Sequence, residues 1–210
     1  MNRKKKAYVF AGSPEAKCKN LKPEEDSFIV CADGGYILAR THGIKPDVMI
    51  GDFDTYTGRM PEGVEAVKYP PEKDDTDTML AVKLCLERGY NDITIAGGLG
   101  ARLDHTFANI QVLRYIMKQG AIGTLYDDDQ YAVLQGPGIK VYDSMEGRVF
   151  SAFAFTEECT GVNLKGFKYP MKNGVIKSSF PIGISNRMTG KSGIVSLDSG
   201  VLLIIFTKEN

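Results

Sequence analysis

Short apolar runs alternate with stretches of helical periodicity through the first 130 residues or so, and then the helical periodicity stops. Residues 7–12, 27–33, 48–52 and 92–98 are brief runs rich in Val, Ile, Phe and Tyr, the pattern of buried strands. Residues 34–42, 75–88 and 103–118 carry helical spacing. In the second of these, Met79, Val82 and Leu86 are expected on one face, with Gly89 as the stop. Residues 121–126 read as a further strand. Strands alternating with helices imply a mostly parallel, layered α/β sheet. Beyond Gln135-Gly136-Pro137-Gly138 only strand-like runs follow, at 148–155, 174–178, 193–197 and 201–207, punctuated by Gly and Pro. That is the pattern of a small antiparallel sandwich or barrel. The expected fold class is α/β. A mostly parallel layered α/β domain should occupy residues 1–137, and a small all-β, sandwich- or barrel-like domain residues 138–210.

Composition narrows the function classes. Hydrophobic residues make up 43% of the 210, enough for a core and too many for a disordered chain. Lys plus Arg and Asp plus Glu both number 26, so no net charge draws the chain to nucleic acid or anionic lipid. The one basic stretch, Arg3 to Lys6, reads as a solvated tail before the first strand, since the apolar run after it is too short for a secretory signal. The longest aliphatic-aromatic run covers residues 201–206, far from the about 20 that a membrane helix needs. No nucleic acid and no membrane are therefore expected as partners. The four cysteines (Cys18, Cys31, Cys85 and Cys159) lie far apart with no C-x-x-C. Reduced thiols in a cytoplasmic protein are the simplest reading.

Three clusters could carry chemistry. Gly51-Asp52-Phe53-Asp54-Thr55 follows the strand ending at Ile50, and ligands of open α/β sheets bind outside the carboxyl ends of strands. Asp52 and Asp54 point the same way if the chain stays extended, and two hard oxygens on one side suit Mg²⁺ beside substrate phosphates. An Asp-rich turn ending a strand accounts for the same residues. Lys73-Asp74-Asp75-Thr76-Asp77 opens the second helix. Capping and the helix dipole explain one or two of its acids but not Lys73, which could neutralise phosphate oxygens while Asp77 completes the metal site.

Gly97-Gly98-Leu99-Gly100-Ala101-Arg102-Leu103-Asp104-His105 opens the third helix. Glycines let backbone N–H groups approach an anion at a helix N-terminus, and Arg102 adds a planar fork. The spacing is neither G-x-G-x-x-G nor a P-loop, and a tight strand-to-helix turn capped by Asp104 explains the glycines alone. His105 and Asn109 should share a helix face, while His42 should merely end the first helix. Pro181-Ile182-Gly183-Ile184-Ser185-Asn186 reads as a polar turn between strands. Convergence of three clusters at the strand ends of one sheet points to a metal-dependent enzyme acting on a nucleotide or another small phosphorylated molecule.

In chain order, Ala32-Asp33-Gly34-Gly35, Pro46-Asp47 leading to Gly51-Asp52-Phe53-Asp54, Lys73-Asp74-Asp75-Thr76-Asp77, the Gly97–His105 loop with Asn109, and Gly183-Ile184-Ser185-Asn186 resemble the thiamin pyrophosphokinase family. The resemblance runs from about residue 8 to residue 206. It implies an α/β domain that binds ATP and Mg²⁺, then a β-rich domain for thiamin and dimerisation. It further implies a homodimer, with thiamin held between one subunit's first domain and the other's second. The implied reaction moves a pyrophosphoryl group from ATP to the hydroxyethyl oxygen of thiamin and releases AMP. Carried over by motif, Asp52, Asp54 and Asp77 would anchor Mg²⁺ and, with Lys73, form the catalytic set. Asp33, Gly97, Gly98, Gly100, Arg102, Asp104 and His105 would bind ATP, and Ser185 and Asn186 thiamin. Thr55 stands where many members have Ser, Met79 where many bacterial members have Glu, and Arg187 where they often have Glu. The chain has no Trp, which some members stack on thiamin, so another apolar or aromatic side chain must pack there. The acids and glycines alone also admit a metal-dependent phosphohydrolase, which would activate water, or a nucleotide-binding regulatory module, which has no use for three carboxylates.

Overall fold

The computed structural model describes residues 5–13, 15–51, 61–70, 74–100, 102–145 and 147–209. The chain divides into two compact units, Met1–Asp128 and Asp129–Asn210. The division expected after residue 137 falls inside the second of these.

In the first unit, strands β1 (Lys6–Phe10), β2 (Phe28–Ala32), β3 (Val48–Gly51), β4 (Glu65–Lys68), β5 (Asp92–Ala96) and β6 (Ile122–Tyr126) form a sheet in the order β4-β3-β2-β1-β5-β6. Every pairing within it is parallel. The chain steps outward from β1 to β4, then returns to place β5 on the other side of β1. Order therefore reverses between β1 and β5, the place where open α/β sheets form a ligand crevice at their carboxyl ends. Strands β1, β2 and β3 are almost wholly buried, as their apolar runs require. β4, Glu-Ala-Val-Lys, is a mostly exposed edge and carries no apolar run to announce it.

Helices α1 (Gly35–Thr41), α2 (Asp77–Glu87) and α3 (Leu103–Lys118) match the three helical stretches of the sequence. Thr76 caps α2 by accepting a hydrogen bond from Met79 N at 3.2 Å, and Gly89, at φ +81°, follows its end. The buried face of α2 is Thr78, Ala81, Val82 and Cys85 together with Leu80; of the expected Met79, Val82 and Leu86, Val82 is buried and the other two are half-buried. The helix packs against both the sheet and α3, so its inward stripe rotates toward the small residues that allow close approach. Gly35 has no room for a side chain, because a Cβ would collide with the carbonyl of Phe10.

The second unit is built of antiparallel strands. β7 (Gln130–Gln135) and β9 (Arg148–Ala154) both pair with β13 (Leu202–Lys208). β8 (Gly138–Asp143), β10 (Glu158–Lys165), β11 (Met171–Lys177) and β12 (Ser192–Leu197) form a sheet ordered β11-β10-β12-β8. Inward residues of both layers, among them Phe150, Phe206, Val162, Ile176 and Val195, make one core, as a sandwich requires. Phe206 meets Phe150 edge-on at 5.4 Å, and Tyr142 donates to Gln135 at 3.0 Å so that neither polar tip is left unanswered.

Candidate active site

The crevice at the switch point holds a cavity of about 480 Å³. Its floor comes from three strand ends: Ala11-Gly12-Ser13 after β1, Ala32-Asp33 after β2, and Gly97 to Gly100 after β5. Its walls are the entry to α2, from Asp75 to Thr78, and the first turns of α3, with Arg102, His105 and Asn109.

Close backbone approach shapes the glycine loop. Gly97 adopts φ +72°, and a Cβ there would stand 2.5 Å from the Ala11 carbonyl oxygen. Gly100 leaves no room for a Cβ against Ser13 Oγ. Ser13 N donates to Gly97 O at 3.3 Å, tying the two loops together. Asn109, buried on α3, donates its amide to Gly98 O at 2.8 Å and so holds the loop from beneath. The expected sharing of a face by His105 and Asn109 is met, since both line the cavity. The N-cap residue of α3, Arg102, makes no capping bond, but Asp104 Oδ1 accepts the backbone N–H of His105 at 3.0 Å, so the suggested cap role of Asp104 is met for one first-turn donor. The remaining first-turn donors and the positive end of the helix dipole lie at the crevice, a setting that suits an anion.

Asp33 and Asp77 both line the cavity, as do Gly97, Gly98, Gly100, Arg102 and His105. Asp33 takes a left-handed backbone, φ +44°, with its N–H donated to Ile50 O at 2.8 Å. Asp104 is not a lining residue. Its carboxylate is solvent-facing and grips the Arg102 guanidinium, with Oδ2 2.5 Å from Nη2 and Oδ1 3.2 Å from Nε. That bond, more than any other influence, holds the Asp104 carboxyl down at about 2, and it raises Arg102 in turn. Asp104 therefore reaches the site through Arg102. Asp52, Asp54 and Lys73 lie outside the described residues. Among the described residues no group of three or more His, Cys, Asp or Glu side chains is placed to hold a metal ion. Asp33 and Asp77, which line the cavity, are hard oxygen donors, and Mg²⁺ needs only one or two such ligands beside phosphates, so the donor chemistry suits it.

Sequence reasoning passed over Ser13. The signal was there: Gly12-Ser13-Pro14 are turn-type residues that follow directly on the first apolar run of the sequence.

In the second unit, the turn 181–186 is held against β9. Gly183 has no room for a side chain beside the Ala152 carbonyl, and Asn186 bridges Phe150 in a short antiparallel contact. Ser185 is exposed, at φ +57°, with its N–H donated to Ser151 Oγ at 3.1 Å. Asn186 is buried and its amide is committed to the fold. Oδ1 accepts from Tyr169 N at 3.0 Å and Arg187 N at 2.9 Å, and Nδ2 donates to Tyr169 O at 2.7 Å. Both backbone groups of Tyr169 are thus clamped, while its ring is 61% exposed with Lys168 Nζ 5.5 Å from the ring centre.

Residues 20–123 match the family described as thiamin pyrophosphokinase, catalytic domain, and residues 138–202 match thiamin pyrophosphokinase, vitamin B1 binding domain. The chain belongs to the thiamin pyrophosphokinase family. A thiamine pyrophosphokinase of Bacillus subtilis (strain 168) is 31% identical over 209 residues, covering 94% of this chain and 96% of the relative. Thiamin pyrophosphokinase 1 of Caenorhabditis elegans is 26% identical over 190 residues, with 84% and 77% covered. Among solved structures, a Bacillus subtilis thiamine pyrophosphokinase superposes with a TM-score of 0.86 at 29% identity, covering 98% of this chain and all of that one. A Geobacillus thermodenitrificans thiamin pyrophosphokinase gives 0.85 at 25%, with 98% of each covered. Family membership bears out the motif resemblance and the α/β-then-β fold class. The matches lend nothing to the phosphohydrolase reading. No described helix is long and apolar enough to cross a membrane.

Proposed function

We propose that this chain, as its family implies, transfers the pyrophosphoryl group of ATP to thiamin, with the cavity of the first unit holding the nucleotide. The observation that carries this reading is the convergence on one cavity of the glycine loop 97–100, the start of α3 and the Asp75–Asp77 entry to α2. Backbone N–H groups of the loop cradle phosphate oxygens, Arg102 adds charge-assisted donors, and Asp33 and His105 border the same space. Mg²⁺, held by Asp77 with Asp52 and Asp54, supplies neutralisation of the triphosphate charge. Lys73 adds a further positive charge on the phosphates.

The reaction is a displacement at the β-phosphorus. The thiamin hydroxyl oxygen forms a bond to that phosphorus, the bond to the bridging α,β-oxygen breaks, and AMP leaves with the electron pair. A primary alcohol is a poor nucleophile, so alignment and charge stabilisation carry most of the barrier lowering. Asp77 accepts the hydroxyl proton late in the transfer. Ser185 contacts thiamin directly, whereas Asn186 serves by clamping Tyr169, whose open ring takes the place of the missing Trp and offers a face to a cationic heteroaromatic. The protein works as a homodimer in this reading.

Removal of divalent metal tests the arrangement. With excess EDTA, thiamin diphosphate formation should stop and return on adding Mg²⁺. Undiminished turnover in EDTA would remove the metal role of Asp52, Asp54 and Asp77.

A further inference from the structure

Lys83 lies on α2, six residues beyond Asp77, and is not among the residues that line the cavity. Its ammonium donates to Asp75 Oδ2 at 2.6 Å and lies 6.0 Å from the centre of the Tyr115 ring on α3. Asp75, in contrast, does line the cavity. Eight residues separate the two, so the bond folds the segment before Thr76 back along α2. It sets where the Asp75 carboxylate stands. The side chains are 35% and 34% exposed. That is between the solvated regime, where an ion pair contributes little, and the buried one, where an unanswered charge is costly.

Three carboxylates face a cavity that, on the reading above, takes a polyanionic triphosphate. The metal role falls to Asp77 with Asp52 and Asp54, so it does not answer the charge of Asp75. A carboxylate left bare on the wall repels the phosphates.

We infer that Lys83 is a positioning residue for the nucleotide: by holding Asp75 in an ion pair it cancels that carboxylate's repulsion of the triphosphate. The inference rests on the ATP reading of the cavity. Lys83 acts through Asp75 and does not touch the nucleotide. Its effect should therefore appear in binding, not in the chemical step.

The test is equilibrium binding of a non-hydrolysable ATP analogue, with steady-state kinetics, on the wild-type chain, K83M, K83R and the double variant K83M/D75N. K83M should weaken analogue binding and raise KM for ATP about three- to tenfold while kcat stays within about twofold. K83R, which keeps the charge, should bind as the wild type does. K83M/D75N should return to within about twofold of wild type, because no bare charge remains. If Lys83 serves only to pack α2 on α3, the double variant stays as weak as K83M. That result, or unchanged binding in K83M, overturns the inference. Should K83M melt below the assay temperature, K83Q carries the same expectations. A wild-type chain that fails to bind the analogue removes the ATP reading itself, and this inference with it. Wild-type binding that K83M does not weaken removes the role of Lys83 alone.

Discussion

Gly97 stands where a left-handed backbone and a close neighbour coincide, φ +72° with the Ala11 carbonyl in the path of any side chain. Gly97→Ala should cost on the order of 1–3 kcal/mol in chemical denaturation and raise KM for ATP, since the loop must open to relieve the clash. Asp77→Asn keeps nearly the same shape at the start of α2 while removing a charge from the cavity. It should lower kcat by about 100-fold or more with little change in melting temperature, and near-normal turnover would remove both roles assigned to Asp77. Tyr169→Ala should raise KM for thiamin while leaving KM for ATP unaltered, and equal shifts in both would contradict its assignment. That the loop glycines and Asp77 would come together at one strand-end crevice was legible, because glycine and aspartate at strand-to-helix junctions of a parallel sheet lie where the strand ends converge. Tyr169 and Ser13 were not. Tyr169 owes its place to the amide of Asn186, 17 residues away in sequence, and Ser13 to its contact with the loop beginning at Gly97. Single-chain spacing carries no trace of such long-range bonds.

Helix α2 shows how local rules and packing divide the work. Its start is local: Thr76 accepts from Met79 N, and Asp77 sits in the first turn beside the positive end of the dipole. Thr76→Ala should therefore lower stability by about 1 kcal/mol, measured as a shift in urea midpoint at constant slope. No change would mean that the cap contributes nothing. Its buried stripe depends on partners instead, which is why spacing alone chose Met79 and Leu86 where Ala81 and Cys85 face inward. The other helices and the buried parallel strands were readable because an apolar run can satisfy only one layered arrangement. β4 escaped notice because its exposed Glu-Ala-Val-Lys has no apolar run. β8 did too, with five of its six residues exposed, and only the buried Tyr142 ties it to the core. β7 and β10 were missed for another reason. The apolar run of β7 is only the four residues 131–134 between two glutamines, and that of β10 is interrupted by Thr160, Gly161 and Asn163, so the core is recognisable only once both sheets are assembled.

For the molecule as a whole, three thiols couple folding to alkaline pH. Burial pushes Cys18, Cys31 and Cys85 each up to about 12, with Asp127 and Asp128 adding to the effect at Cys18. An unfolded thiol releases its proton near pH 8.5, so above that the unfolded state binds fewer protons than the folded one and stability falls as pH rises toward 12. Urea midpoints in reducing buffer should drop from pH 8 to pH 10. A midpoint that holds or rises would contradict the buried, protonated state of these cysteines. The proposed homodimer belongs at this scale too: sedimentation should find twice the chain mass, and a monomer with full activity would remove dimerisation from the account. The central claim is that the acids and glycines at one strand-end crevice serve pyrophosphoryl transfer to thiamin. The most direct test is chromatography of the nucleotide products after incubation with ATP and Mg²⁺, with and without thiamin. Equal, thiamin-dependent amounts of AMP and thiamin diphosphate are predicted. ADP or free phosphate released without thiamin would contradict the claim and favour water as the acceptor.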